Sequence, residues 1–200
     1  MLRRHFLNSA SLALVATTLP PTRSENLATA ARAQLGVTKS YDPKYIRIPY
    51  PNGDVPRSTG VCADVIVRAG RDALALDLQR LVHEDMLADF AAYPRTWGMA
   101  HPDANIDHRR VLNLEAYFRR AHSELWHATG PAAGNSFPGK LLPGDILTWR
   151  LDARMPHIGI VVADSLFSTR VVHNWGNGTE ESSLLTFAPH RAIGHYRWPP

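Results

Sequence analysis

The sequence predicts an α+β fold in which helices pack on one face of an antiparallel sheet. Two observations carry that expectation. Apolar residues recur at helical spacing over 62–75, 77–92 and 111–122. Short alternating segments rich in β-branched residues then crowd the last third, at 145–149, 158–162, 170–172 and 193–198. With 200 residues, 44% of them apolar, the chain suffices for one domain with a real core, plus a leader.

Taken in order, the first segment reads as that leader. Arg3 and Arg4 precede an apolar run from Ala10 to Leu19, a basic start and a short apolar core. The adjacent arginines followed by Phe6 and Leu7 resemble the twin-arginine export signal. Residues 1–24 are therefore expected to be an export leader, and 25–200 a single periplasmic or extracellular domain. No stable membrane span is expected once the leader is gone. Asn26 to Gly36 predicts a helix stopped by its glycine, and 38–56 a turn-rich loop with a short strand at Ile46–Ile48.

A helix is expected from Cys62 to about Ala75, and a second from Asp77 to Ala92, with Leu78, Leu81, Val82, Met86 and Phe90 inward. Residues 93–110 have no period and hold many aromatic, His, Asp and Arg side chains. Long irregular loops of this kind in compact domains are commonly functional. A helix over 111–122 and a flexible connector over 130–139 complete the first part. Lys and Arg exceed Asp and Glu by 22 − 18 = 4, with no basic run, so nothing supports nucleic-acid binding.

The only cysteine, Cys62, stands where a loop gives way to a helix. A helix N-terminus presents free N–H groups and partial positive charge, which favour a thiolate. A lone cysteine in an exported protein has no internal disulfide partner, which points to burial or use. A thiol nucleophile needs a base and a group that orients it. His157 opens the cleanest strand and shares its face with Gly159 and Val161. His173 and Asn174 lie on the following strand, on opposite faces, so one of them can face His157.

Four blocks, GVCADVIVRA, PGDILTW, HIGIVV and VVHNWG, resemble the NlpC-type cell-wall peptidases, a superfamily with a papain-like core. Longer blocks, among them DLQRLVHEDM, WGMAHPDANIDHRRVLNL and HNWGNGTEE, resemble the bacterial family catalogued as domain of unknown function 1287. The resemblance implies Cys62 as nucleophile, His157 as base, His173 as orienting residue with Asn174 as the alternative, and Tyr50 as a site-lining or oxyanion residue. It also implies a cysteine hydrolase cutting an amide bond, with peptidoglycan or its stem peptides as partner and no cofactor. The sequence departs from the pattern in having Val61 and Ala63 beside the cysteine. The alternatives are an inactive module that binds wall peptides and an acyltransferase on the same core.

The irregular loop leaves three readings open. Trp97, Asp107, His108 and Arg109 form a substrate loop in one, with Arg109 or Arg110 clamping a carboxylate. In another the loop's Asp, Asn, His and Arg side chains are salt-bridged scaffold, with Trp97 as core or cleft wall. A metal site from His101, Asp103, Asp107 and His108 is the third, at a spacing that matches no zinc motif.

Overall fold

The computed structural model describes residues 20–130, 134, 136–164 and 168–200. The expected leader lies almost wholly outside them, as does part of the 130–139 connector.

Helix α1 spans Arg23–Arg32 and begins with a reciprocal cap: the Thr22 hydroxyl accepts from Glu25 N–H, and the Glu25 carboxylate accepts from Thr22 N–H. A two-residue parallel ladder follows, β1 (Ser40–Tyr41) with β2 (Thr59–Gly60). Helix α2 (Cys62–Leu74) comes immediately after and ends at Ala75, whose φ of 55° is left-handed. Helix α3 (Leu78–Ala88) is capped by the Asp77 carboxylate. The expected 77–92 helix breaks at Asp89, and Phe90–Ala92 form a separate 3-10 turn. A further 3-10 turn at Asp107–Arg109 leads into α4 (Val111–Arg120).

Six strands form one antiparallel sheet: β3 (Glu124–His127), β4 (Ile146–Leu151), β5 (Met155–Ala163), β6 (Arg170–Asn174), β7 (Thr179–Ser183) and β8 (Arg191–Tyr196). Their order is β3-β8-β4-β5-β6-β7. Ile46–Ile48 is not a strand: Ile48 N–H donates to the Asn105 side chain at 3.0 Å instead of to a ladder. Conversely, β3 and β7 carry no sequence signal. They are the two edges of the sheet, and half-solvated edge strands such as Thr-Glu-Glu-Ser-Ser lack the apolar alternation that marks inner strands.

The sheet separates two apolar clusters. Ile146, Ile158, Ile160, Val162 and Val172 pack against α1 to α4. On the other face, Leu147, Trp149, Leu151, Val161 and Val171 pack with Phe187, from the 3-10 turn Leu184–Phe187. Strand alternation therefore turns Ile158 toward α2 and its neighbour His157 away from it. The turn into β4 depends on Gly144, whose φ is +95° and whose Cα lies against the Ser24 backbone, leaving no room for a side chain.

Gly159 has a different reason. A Cβ there would stand 2.6 Å from Val171 Cγ1 and 3.3 Å from His173 Cβ, so β6 fills the space beside His157. Gly159→Ala is expected to lower stability by about 1–3 kcal/mol through overpacking. A urea midpoint indistinguishable from the parent's would refute the close approach of β5 and β6.

Candidate active site

Cys62 is the first residue of α2 and is 3% exposed. Its side chain meets a cleft of about 450 Å³ whose lining includes Tyr41, Tyr45, Trp97, Arg110 and Pro156. A neighbouring hollow of about 200 Å³ is lined by Tyr41, Met155, Pro156, His157, Trp175 and Gly176. The two share Tyr41, Met155 and Pro156 as lining, but Cys62 lines only the first and His157 only the second.

Burial is the largest influence on the thiol. It outweighs the backbone N–H groups of Ile158, Ala63 and Cys62 that favour the thiolate, and the Asp64 carboxylate adds to it. The thiol is pushed up to about 12. This corrects the expectation of a lowered pKa: the helix end is present, but it lies inside the core. No hydrogen bond joins Cys62 to an imidazole among the described residues. What links them is the backbone, since the N–H that favours the thiolate belongs to Ile158, next to His157.

His157 and His173 do meet. His157 Nε2 and His173 Nδ1 stand 3.2 Å apart, with the ring planes at 80°. Trp149, Trp175 and Phe187 pack around His157. Burial, with His173 and His190 nearby, lowers the His157 pKa to about 3, and burial lowers that of His173 to about 4. Asn174 points elsewhere: its Nδ2 donates to Gly60 O at 3.0 Å, tying β6 to the residue two before Cys62.

Tyr50 is not at the cleft. It is 45% exposed and packs edge-on against His83. The tyrosine beside the thiol is Tyr41, whose pKa rises to about 12 through burial and the neighbouring Cys62 and Asp64. Its position comes from the β1–β2 ladder, which pairs Tyr41 with Gly60. A two-residue ladder leaves no pattern in a sequence, so Tyr41 was not singled out there, and the resemblance pointed to Tyr50 instead.

A family model described as "Domain of unknown function (DUF1287)" matches residues 28–198. The chain belongs to the DUF1287 family. It is 46% identical over 198 residues to the "Uncharacterized protein YijF" of Escherichia coli (strain K12), covering 94% of this chain and 91% of that protein.

In this DUF1287 chain the 93–110 loop divides its duties. Trp97 lines the cleft, with the Arg110 guanidinium 4.3 Å above its ring. Arg109 touches the cleft but is not available as a clamp. Its Nε and Nη2 grip both Asp64 oxygens at 2.9 Å, and its remaining reach goes to Asp42 O and Lys44 O. Asp107 is buried, accepting from Asp103 N–H at 2.5 Å and from Arg110 at 2.9 Å. His108 is buried too, and burial lowers its pKa to about 4. Neither Asp107 nor His108 lines the cleft. Among the described residues no group of three or more His, Cys, Asp or Glu is disposed to hold a metal ion.

Two positioning residues escaped the sequence reading. Asp64 binds Arg109 and also accepts from Val61 N–H at 2.7 Å, fixing the first turn of α2. Arg68, 1% exposed, binds Asp54, Thr38, Val55 O and Thr59 O, fixing the loop that delivers Cys62. Acid and base one helical turn apart, at 64 and 68, form no motif, and only their burial distinguishes them.

Arg109→Leu leaves the Asp64 carboxylate buried without its cation and is expected to cost about 3–5 kcal/mol. A chemical-denaturation curve within 1 kcal/mol of the parent's, on the order of an exposed pair, would contradict this. The buried histidines give a pH dependence. Their ordinary pKa is 6.5, whereas the folded values are about 3 for His157 and about 4 for His173. Between those limits the unfolded chain binds protons that the folded one refuses, so stability rises with pH. Unfolding free energy is therefore expected to fall as pH drops from 6.5 toward 4, and His157→Gln with His173→Gln should flatten that slope.

Proposed function

We propose that this DUF1287 protein is an exported cysteine hydrolase of papain-like arrangement that cuts an amide bond in peptides of the bacterial cell wall. The observation that carries the reading is the placement of Cys62. A single thiol opens a buried helix at a cleft of about 450 Å³, and the neighbouring strand presents an N–H to the sulfur and, one residue earlier, an imidazole held by a second imidazole. Aromatic walls, Tyr41, Tyr45 and Trp97, suit an extended peptide, and Arg110 stands at the same rim for its carboxylates.

The chemistry starts from a neutral pair, because burial holds Cys62 as thiol and His157 as uncharged imidazole at pH 7. Proton transfer then accompanies attack instead of preceding it. His157 Nε2 is engaged by His173, so Nδ1 is the nitrogen that takes the thiol proton, relayed by one bridging water. The sulfur adds to the carbonyl carbon, and the Cys62 backbone N–H faces the oxyanion. His157 returns its proton to the leaving amine, and water activated by the same nitrogen releases the acyl group.

A second reading, a wall-peptide binding module with an idle thiol, draws on the missing Cys62–His157 hydrogen bond and on the high thiol pKa. Digestion separates the two. Purified cell wall incubated with the protein should release peptide fragments identifiable by mass. Cys62→Ala should lower release by at least about a thousandfold, as loss of a nucleophile does. Equal release by Cys62→Ala, or retention of wall peptides with no new termini, removes the hydrolase reading. Iodoacetamide labelling of the free protein should be slow at pH 7.5 and accelerate with pH toward 12.

A further inference from the structure

The two rings at the site raise a question that their contact alone does not answer. At 3.2 Å, His157 Nε2 and His173 Nδ1 share one hydrogen, and either ring could supply it. Burial keeps both rings neutral near pH 7, so each carries a single proton. If His157 donates through Nε2, its Nδ1 is a bare lone pair, able to accept a proton. If His173 donates through Nδ1, His157 Nε2 is the acceptor, Nδ1 bears hydrogen, and the ring has no free lone pair. The tautomer of His173 therefore decides whether His157 is a base.

The opposite nitrogen of His173 settles which tautomer is favoured. His173 Nε2 is buried with no hydrogen-bond partner, and the residue is 0% exposed. The nearest carboxylate oxygen is Glu180 Oε1, at 3.9 Å. Glu180 is directly across the ladder from His173 on β7, so their side chains stand on one face of the sheet. Its side chain is 48% exposed, so a small rotation, or a bridging water, closes that gap at little cost. The other neighbours of the two rings do not compete for this nitrogen. Phe187 has no acceptor and the indole of Trp175 only donates. His190 Nδ1 accepts from Asp152 N–H at 3.3 Å.

We infer that Glu180 is a positioning residue that holds the His173 proton on Nε2, so that His173 Nδ1 accepts from His157 Nε2–H and His157 Nδ1 is left free as the base. The relay runs from an edge strand, Glu180 to His173 to His157, across three adjacent strands. Its catalytic consequence rests on the hydrolase reading; its tautomer does not.

Nitrogen-15 NMR of the full-length protein at pH 7, with ring-labelled histidine, reads the tautomers directly. The expected spectrum has both His173 and His157 protonated at Nε2. Glu180→Ala should move His173 toward the Nδ1–H form and shift the His157 nitrogens with it. Glu180→Gln, which keeps an acceptor oxygen, should retain the parent pattern in large part. The Glu180 side chain is half exposed, so its truncation opens no cavity in the core, and an unchanged thermal midpoint checks it. Should the wall-digestion activity exist, Glu180→Ala should lower kcat by about tenfold or more with KM little changed, as expected of a group acting through the base. A parent spectrum with His173 protonated at Nδ1, or a Glu180→Ala spectrum identical to the parent's, overturns the inference. If the protein releases nothing from cell wall yet the tautomers shift as stated, the relay stands and the hydrolase reading falls.

Discussion

The buried pair of Asp64 and Arg109 is the contact on which the rest of the site depends. Two charges at 4% and 2% exposure cannot be left singly in a core, so their partnership is enforced by desolvation. Because Asp64 also caps the first turn of α2, the same carboxylate fixes the helix that carries Cys62 and anchors the irregular loop that walls the cleft. Arg109 passes the constraint on to Asp42 O and Lys44 O, and so to the segment that holds Tyr41. One ion pair thus sets the relative position of thiol, tyrosine and loop.

Around it lies a lattice of polar side chains that answer backbone groups in segments without regular structure. Gln79 accepts from Gly53 N–H and donates to Pro49 O and Ala104 O. Tyr45, Asp103 and Asn105 bond to one another across the cleft rim. Irregular backbone has no ladder partners of its own, so a buried loop needs such side chains to satisfy it. This explains the density of Asp, Asn and Arg in the 93–110 segment more fully than a metal site does.

The cost of so enclosed a site falls on its chemistry. The burial that orders Cys62, His157 and His173 also opposes charge on each of them, raising the thiol and lowering both imidazoles. A thiolate–imidazolium pair is then not the resting state. Membership of the DUF1287 family and 46% identity to YijF place the chain in a wider set of proteins without assigning it a reaction.

The sequence by itself determined the fold class, helix α2, the inner strands and the opposite facing of His173 and Asn174. Each depends on local periodicity: 3.6 residues for α2, and two for β5 and β6, where alternation puts residues 171 and 173 on one face and 174 on the other. The register that brings His173 rather than Asn174 to His157 belongs to the assembled sheet. The edge strands were illegible because their outer sides are solvated, and the break at Asp89 because an apolar face continues through it. What only the tertiary structure decided was everything set by partners far apart in the chain. Tyr41, not Tyr50, reaches the thiol because β1 pairs with β2. Arg109 is spent on Asp64 and not on a ligand because both are buried, 45 residues apart in sequence. The sign of the Cys62 shift was also undecidable locally, since a helix N-terminus favours the thiolate in any sequence, while the depth of burial that overrides it is a property of the assembled core.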